Sequence, residues 1–351
     1  MLGTVTIKNY KSIKDLTLEC KRINLFIGRP NVGKSNLLEA ISLLDSHSGI
    51  GNPEYIRKEN FRNLFFDQEI NNIIEVDDGD YGVRIFYNPS HSSDYSFNII
   101  KHNNINSISN GESLLTSKLS FLVRQSLTHT NSTYYQYNNK GGGSKEDQII
   151  EYKKVVKPYL FKKINNQKIY NENQFLPLSS PFGENIFTVL KNNKPLLKEI
   201  AELFKEYGYD LVIDSITDQA EIQKNDQGIV YKVPFSLVAD TLQRIIFHKC
   251  AIRSNLNSTI LFEEPENHSF PPYIKELAQE MIDSETNQFF VATHSPYLFD
   301  TIVSEAKAEE VAIHIVSFED YQTKVKLLSK QDIADISNHG IDVFFNLDMF
   351  A

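Results

Sequence analysis

The chain has 351 residues, 41% hydrophobic and 23% charged, with 17 tyrosines, 23 phenylalanines and two cysteines. This is the composition of a folded globular protein with material for a large core, and Cys20 and Cys250 are too few and too far apart for a disulfide framework or a cysteine zinc site. The formal net charge of −9 excludes a global positive field that would draw the protein onto nucleic acid or an anionic membrane.

The opening Met1-Leu2-Gly3-Thr4 lacks the basic-then-apolar layout of a signal peptide. No apolar run approaches the ~18 residues a membrane span needs, so a cytoplasmic location and no membrane partner are expected. Strands are predicted at Thr4–Ile7, Leu16–Leu18 and Ile23–Ile27, the last a short apolar run suited to a central position. A glycine-bounded loop follows, and Leu37, Leu38, Ala40, Ile41 and Leu44 then have helical spacing. Alternating residues around Asp-Gly and Asn-Pro turns predict an antiparallel meander between about residues 70 and 110. Residues 128–148, with Asn-Asn-Lys-Gly-Gly-Gly-Ser-Lys, are expected to be an exposed flexible loop.

From Ser236, residues Leu237, Leu242, Ile245, Ile246, Cys250 and Ile252 predict a helix. The strand Thr259–Phe262, a helix over Pro272–Ile282, the strand Phe289–Ala292 and a helix after Ser295 come next. The tail reads as two strands, Val311–Phe318 and Lys324–Leu328, and closing helices from Lys330. The expected fold is α/β with a mixed, mostly parallel sheet and an antiparallel N-terminal meander. Its organisation is expected as an N-terminal lobe at 1–95, an α/β insertion at 96–230 and a C-terminal lobe at 231–351.

Gly28-Arg29-Pro30-Asn31-Val32-Gly33-Lys34-Ser35 fills every fixed position of the phosphate-binding loop pattern. In such a loop, backbone N–H groups from Gly28, Asn31, Val32, Gly33, Lys34, Ser35 and Asn36 curl around phosphate and the helix N-terminus adds its dipole. Lys34 reaches the β and γ phosphates and Ser35 offers its hydroxyl to Mg²⁺. ATP and Mg²⁺ are therefore the expected ligands. The apolar strand before Glu263-Glu264-Pro265-Glu266 ends in two acids. Glu263 is expected on the metal side, and Glu264 as the base that orients or deprotonates the attacking water. A third strand ends at Thr293-His294-Ser295-Pro296, where His294 is expected to donate to the γ-phosphate, and Ser295-Pro296 also suits a helix N-cap.

This ordered set of motifs resembles the ABC-type ATPases, in the branch of the OLD-family proteins and chromosome-maintenance ATPases. Ile7-Lys8-Asn9-Tyr10-Lys11-Ser12-Ile13-Lys14, Gly33-Lys34-Ser35-Asn36-Leu37-Leu38-Glu39-Ala40 and Phe262-Glu263-Glu264-Pro265-Glu266-Asn267-His268 carry the resemblance. It implies a head-to-tail dimer, or a higher oligomer of dimers, with ATP on one copy's loop closed by the other copy's signature segment. That segment corresponds to Ser236–Arg244; with Gln243-Arg244 aligned on the polar pair that follows it in relatives, Asp240 and Thr241 replace the usual Ser-Gly pair, an acid facing triphosphate that a metal or Arg244 would have to offset. Slow or partner-stimulated hydrolysis is the consequence. Glu263 stands where relatives usually carry Asp, and Gln68 is a weak candidate for the family's loop glutamine, a turn being the alternative. OLD nucleases carry a nuclease domain after the ATPase, yet residues 295–351 hold no Asp-x-Asp. The chain thus resembles stand-alone ATPase subunits of bacterial anti-phage systems, such as PARIS and Septu, and its segments Pro181-Phe182-Gly183-Glu184-Asn185, Ala239-Asp240-Thr241-Leu242-Gln243-Arg244 and Pro271-Pro272-Tyr273-Ile274 are most similar to the PARIS type. A separate effector nuclease or toxin, and a phage trigger protein or DNA, are the partners this implies. The alternative is a DNA-repair ATPase that itself grips duplex DNA.

Two weaker signals remain. Asp78-Gly79-Asp80 has a paired-carboxylate spacing, but its surroundings read as a hairpin turn. Lys153, Lys154, Lys157, Lys162, Lys163 and Lys168 interleave with Tyr152, Tyr159 and Phe161, which reads either as a nucleic-acid or acidic-protein surface or as a solvated face.

Overall fold

The computed structural model describes residues 1–45, 54–88, 96–103, 132–138, 143–146, 155–164, 177–214 and 220–350. Strands β1 (Thr4–Tyr10), β2 (Ile13–Glu19), β4 (Ile74–Asp77), β5 (Tyr81–Asn88), β6 (Ser96–Asn103), β7 (Ser132–Asn138) and β8 (Gly143–Glu146) form a seven-stranded sheet in the order β2-β1-β4-β5-β6-β7-β8. All its pairings are antiparallel. The meander expected near residues 70–110 is thus present as β4 to β6. The 128–148 stretch is a correction: two strands, β7 and β8, occupy most of what was expected to be loop.

The second sheet is built on β3 (Ile23–Ile27), with β9 (Val155–Tyr159), β13 (Ser258–Glu263), β14 (Gln288–Ala292), β15 (Val311–Glu319) and β16 (Gln322–Leu327). Its order is β16-β15-β3-β14-β13-β9, parallel throughout except for β16. Parallel strands are covered on both faces, and here strand parity divides the core in two. Ile23, Leu25, Ile27, Ile260, Phe262, Phe289, Val291 and Ile313 face one cluster, while Phe26, Leu261, Phe290, Ala292 and Val316 face the other.

Helix α1 (Lys34–Ser42) packs in the second cluster, its Leu37, Leu38, Ala40 and Ile41 buried together with Val5, Ile7, Val76 and Val83 of the antiparallel sheet. The first cluster is covered by α2 (Ile186–Asn192), α3 (Lys194–Lys205), α4 (Asp240–Ser254), α5 (Pro271–Asp283), α6 (Pro296–Glu305) and α7 (Lys330–His339). A three-stranded antiparallel sheet, β10 (Asp210–Ile213), β11 (Ala220–Asp226) and β12 (Ile229–Pro234), precedes α4. The chain is therefore layered: antiparallel sheet, α1, mostly parallel sheet, helices.

Of the described strands between residues 96 and 230, β6 to β8 extend the N-terminal sheet, β9 pairs with β13 inside the parallel sheet, and β10 and β11 belong to the three-stranded sheet. The helix expected from Ser236 starts at Asp240, because Phe235–Leu237 form a 3-10 turn and Val238 and Ala239 are extended. No helix among the described residues is long and apolar enough to cross a membrane.

Candidate functional site

Three parallel strands, β3, β14 and β13, lie side by side and end at the same edge of the sheet. Ligands of α/β sheets bind beyond the carboxyl ends of the strands, and each of the three motifs begins at one of these ends. After β3 the chain turns through Asn31 (φ 63°) and Gly33 (φ 103°) into α1. A Cβ on Gly33 would lie 2.1 Å from Thr323 Oγ1, so both the left-handed backbone and the close approach require glycine.

The approach has a cause that the sequence did not show. Thr323, on β16, donates from its hydroxyl to the Val32 carbonyl at 2.9 Å, and its Oγ1 lies 2.6 Å from Ser12 Oγ in the β1–β2 turn. Asn36 donates to the same Ser12 hydroxyl at 2.7 Å. The loop is thus clamped from outside by two hairpins, and the Asn36 side chain belongs to the clamp, leaving only its backbone N–H for phosphate.

Lys34 Nζ donates to the carbonyls of Gly28 and Arg29, both at 2.8 Å. Burial lowers its pKa to about 8, against the fields of Glu264, Glu263 and Glu266, which favour the cation. Ser35 donates from its hydroxyl to Glu263 Oε1, so the residues expected to face the metal touch each other. An oxygen-only pair suits Mg²⁺, which takes one or two protein ligands and completes its shell with water and substrate phosphate. Ser35 and Glu263 would hold it here, and its chemistry would be to offset charge on the β and γ phosphates. Among the described residues no group of three or more His, Cys, Asp or Glu is placed to hold an ion by itself.

Glu264 follows β13 in a left-handed conformation (φ 44°), fixed by its N–H donating to the Ala292 carbonyl at 2.8 Å. A side-chain-bearing residue in that region marks a local constraint. Asn267 donates to Glu264 Oε2 at 2.6 Å, and His294 Nε2 lies 3.5 Å from Glu264 Oε1. Both side chains are about one-third exposed, so a substrate can reach them. Burial lowers the His294 pKa, and Lys34 lowers it further while Glu264 opposes. The imidazole is therefore neutral near pH 7, with one ring nitrogen free to donate. Ser295 caps α6, accepting from the Leu298 N–H at 3.3 Å.

A second set of charges, not read from the sequence, stands behind the loop. Glu39 of α1 is 1% exposed and accepts from Tyr10 at 3.1 Å, from Lys11, and from Arg57 Nε at 2.7 Å. Arg57 Nη1 is also 3.8 Å from Glu263, which brings a half-exposed cation to the metal-side acid. The invisible signal was convergence: Lys11, Glu39 and Arg57 come from three separate stretches.

The signature residues are placed elsewhere. Asp240, in the first turn of α4, accepts from Arg244 Nε at 2.8 Å, and Arg244 lies over the Phe161 ring at 4.3 Å. Thr241 donates to the His268 carbonyl at 2.9 Å. Among the described residues none of the three is hydrogen-bonded or ion-paired to the Gly28–Ser35 loop of its own chain. Gln68 lies in a 3-10 turn with φ 57°, the turn alternative. Asp78 also serves a turn, accepting from the Asp80 and Tyr81 N–H groups between β4 and β5. Of the lysine series, Lys157 donates to Asn255 at 2.6 Å and Lys162 sits over Phe182, while Lys153, Lys154 and Lys168 lie outside the described residues.

Residues 23–300 match the family model described as "AAA domain, putative AbiEii toxin, Type IV TA system". No curated protein matches the chain. Among solved structures, an SMC head bound to the C-winged helix domain of ScpA is 16% identical, with 94% of this chain and 98% of that one covered and a TM-score of 0.49. The SMC head domain from Thermotoga maritima is 12% identical over 93% and 99%, with a TM-score of 0.40. An Smc head with an extended coiled coil, bound to the C-terminal domain of ScpA derived from Pyrococcus furiosus, is 13% identical over 96% and 98%, with a TM-score of 0.49.

Proposed function

The chain belongs to the AAA family described as putative AbiEii toxin of a Type IV TA system, and from that premise we propose that it is an Mg²⁺-dependent ATPase whose nucleotide state governs a separate effector. The observation that carries the hydrolytic part is the meeting of Lys34, Ser35, Glu263, Glu264 and His294 at the ends of three adjacent strands.

In this reading the loop N–H groups and Lys34 hold the triphosphate, with Ser35 and Glu263 on the metal side. Glu264 accepts a proton from a water whose oxygen bonds to the γ-phosphorus in line as the bond to the departing ADP oxygen breaks, giving phosphate and ADP. The neutral His294 donates to the γ-phosphate, and its distance from Glu264 lets one residue report on the other. A second copy supplies Asp240, Thr241 and Arg244 to close the nucleotide. The internal Asp240–Arg244 pair supports that placement, because it cancels the acid's charge before it faces phosphate.

The effector part draws on the family's toxin–antitoxin description and on the resemblance to stand-alone anti-phage ATPases: a nuclease or toxin is held in one nucleotide state and released in the other. The test is phosphate release by the purified protein with and without Mg²⁺, followed by co-purification with the product of the adjacent gene in ATP and in ADP. Turnover with nucleotide-dependent capture is the expected result. Turnover without capture, accompanied by a salt-sensitive shift of duplex DNA, would move the assignment to a DNA-gripping ATPase.

A further inference from the structure

The strand β13 runs into three acids, and the third, Glu266, has no part in the scheme above. It is 9% exposed, although a carboxylate is costly to bury unless it is well bonded. Its hydrogen bonds to other residues fall on one oxygen: Glu266 Oε1 accepts from the Thr293 hydroxyl at 2.8 Å and from the His294 N–H at 2.7 Å. Its other oxygen has no hydrogen-bond partner among the described residues. A residue kept at that cost for two bonds to consecutive positions of one loop has its use in that loop.

We infer that Glu266 is the positioning residue of the site, fixing the β14–α6 loop so that the His294 imidazole is presented to Glu264 and to the γ-phosphate. Two rungs cross from the acidic strand to this loop. The first is the Glu264 N–H donating to the Ala292 carbonyl at 2.8 Å, and the second is the Glu266 carboxylate. Thr293 passes the constraint on, because its Oγ1 also accepts the Ser295 N–H at 3.0 Å and Ser295 caps α6. The Thr293 N–H is held in turn by the Phe26 carbonyl at 3.2 Å, immediately before the phosphate loop. The His294 backbone is thereby referenced to all three strand ends, and its ring stands 3.5 Å from Glu264 Oε1. Glu266 is also the third of the acids, after Glu264 and Glu263, whose field favours the Lys34 cation against its burial.

The kinetic part of this inference rests on the hydrolytic reading, so the experiment has a second readout that does not. Wild type, Glu266→Ala, Glu266→Gln and Thr293→Val are compared for kcat and KM with ATP, and for the pH titration of the His294 ring followed by NMR. Glutamine keeps an oxygen acceptor for both bonds and loses the charge; alanine loses both. Glu266→Ala is expected to lower kcat about tenfold or more, with KM within about threefold, and Glu266→Gln to recover most of kcat. In Glu266→Ala the His294 pKa, low in wild type, rises toward the ordinary value of about 6.5 as the ring is freed, and it stays low in Glu266→Gln. Thr293→Val, which removes one of the two donors, shifts it in the same direction and serves if the alanine variant does not fold.

An unchanged His294 titration in both Glu266→Ala and Thr293→Val would overturn the inference. So would a Glu266→Gln enzyme as impaired as Glu266→Ala, which assigns the effect to charge. Absence of turnover in wild type itself would count against the hydrolytic reading and leave the His294 titration to decide this one.

Discussion

The Ser35 hydroxyl donates to the Glu263 carboxylate, joining the first turn of α1 to the last residue of β13. Two oxygen donors that meet so closely define where a hard cation sits. Glu263→Ala is expected to raise the Mg²⁺ concentration for half-maximal ATP turnover about tenfold or more, with little change in the fold. A magnesium titration of initial rates checks this, and an unmoved midpoint would take Glu263 out of the metal shell.

Glu264 stands beside His294 with its backbone held in the left-handed region. Glu264→Gln preserves size and much of the hydrogen bonding but removes the proposed base, so turnover is expected to fall by about 10²–10⁴ while ATP binding persists. Single-turnover phosphate release, set beside equilibrium ATP binding, separates the two effects. Loss of binding equal to the loss of rate would mean that the carboxylate acts in the ground state.

The buried Lys34, lowered to about 8, gives nucleotide binding a pH dependence with a definite sign. A triphosphate beside it favours the cation and raises its pKa in the complex, so binding takes up protons once the free protein begins to lose them. The contribution of Lys34 is therefore full below pH ~8 and declines as pH rises from there toward the pKa of the complex. Phosphate itself is fully ionised over that range, its second pKa being about 6. Affinity measured at pH 7, 8 and 9 should decrease by at most about tenfold per unit. A flat profile would separate Lys34 from the phosphates.

Glu39 anchors the charges behind the loop. Burial lowers the Lys11 pKa, and Glu39 opposes that shift. Glu39→Ala leaves the Tyr10 hydroxyl without its acceptor and the nearly buried Lys11 without its counter-charge, with only the Arg57 carbonyl at 2.7 Å, among the described residues, to accept from it, and a loss of about 3 kcal/mol in folding stability is expected. Urea unfolding monitored by circular dichroism measures it. A change below about 0.5 kcal/mol would mean that water reaches Lys11 freely.

What the sequence disclosed was what chemistry confines to a short run. Gly28–Ser35, Thr259–Glu264 and Thr293–Ser295 each carry their meaning in local spacing, and the apolar runs before them are the adjacent strands β3, β13 and β14. Relations between distant residues were not readable. Nothing in the neighbourhood of Thr323 announces that it holds Val32, and Glu39 reads as one more polar position on a helix. β9 was missed for a local reason: Pro158 interrupts a Val-Val-Lys-Pro-Tyr run and argues against a strand. An edge position tolerates it, and among the described residues β9 lies at the edge of its sheet, paired with β13 alone. In β7 the glycines that follow outweighed the strand preference of Ser132-Thr133-Tyr134-Tyr135.

Hydrolysis by Glu264 and His294 requires a triphosphate resting on the loop that ends at Lys34, within reach of acids from a distant stretch of chain. Calorimetric titration of wild type and Lys34→Ala with a non-hydrolysable ATP analogue and Mg²⁺ tests this most directly. The predicted result is saturable binding by wild type and at least about a tenfold loss of affinity in the variant, with both proteins folded. Equal affinities, or no binding by the wild-type protein, would contradict it.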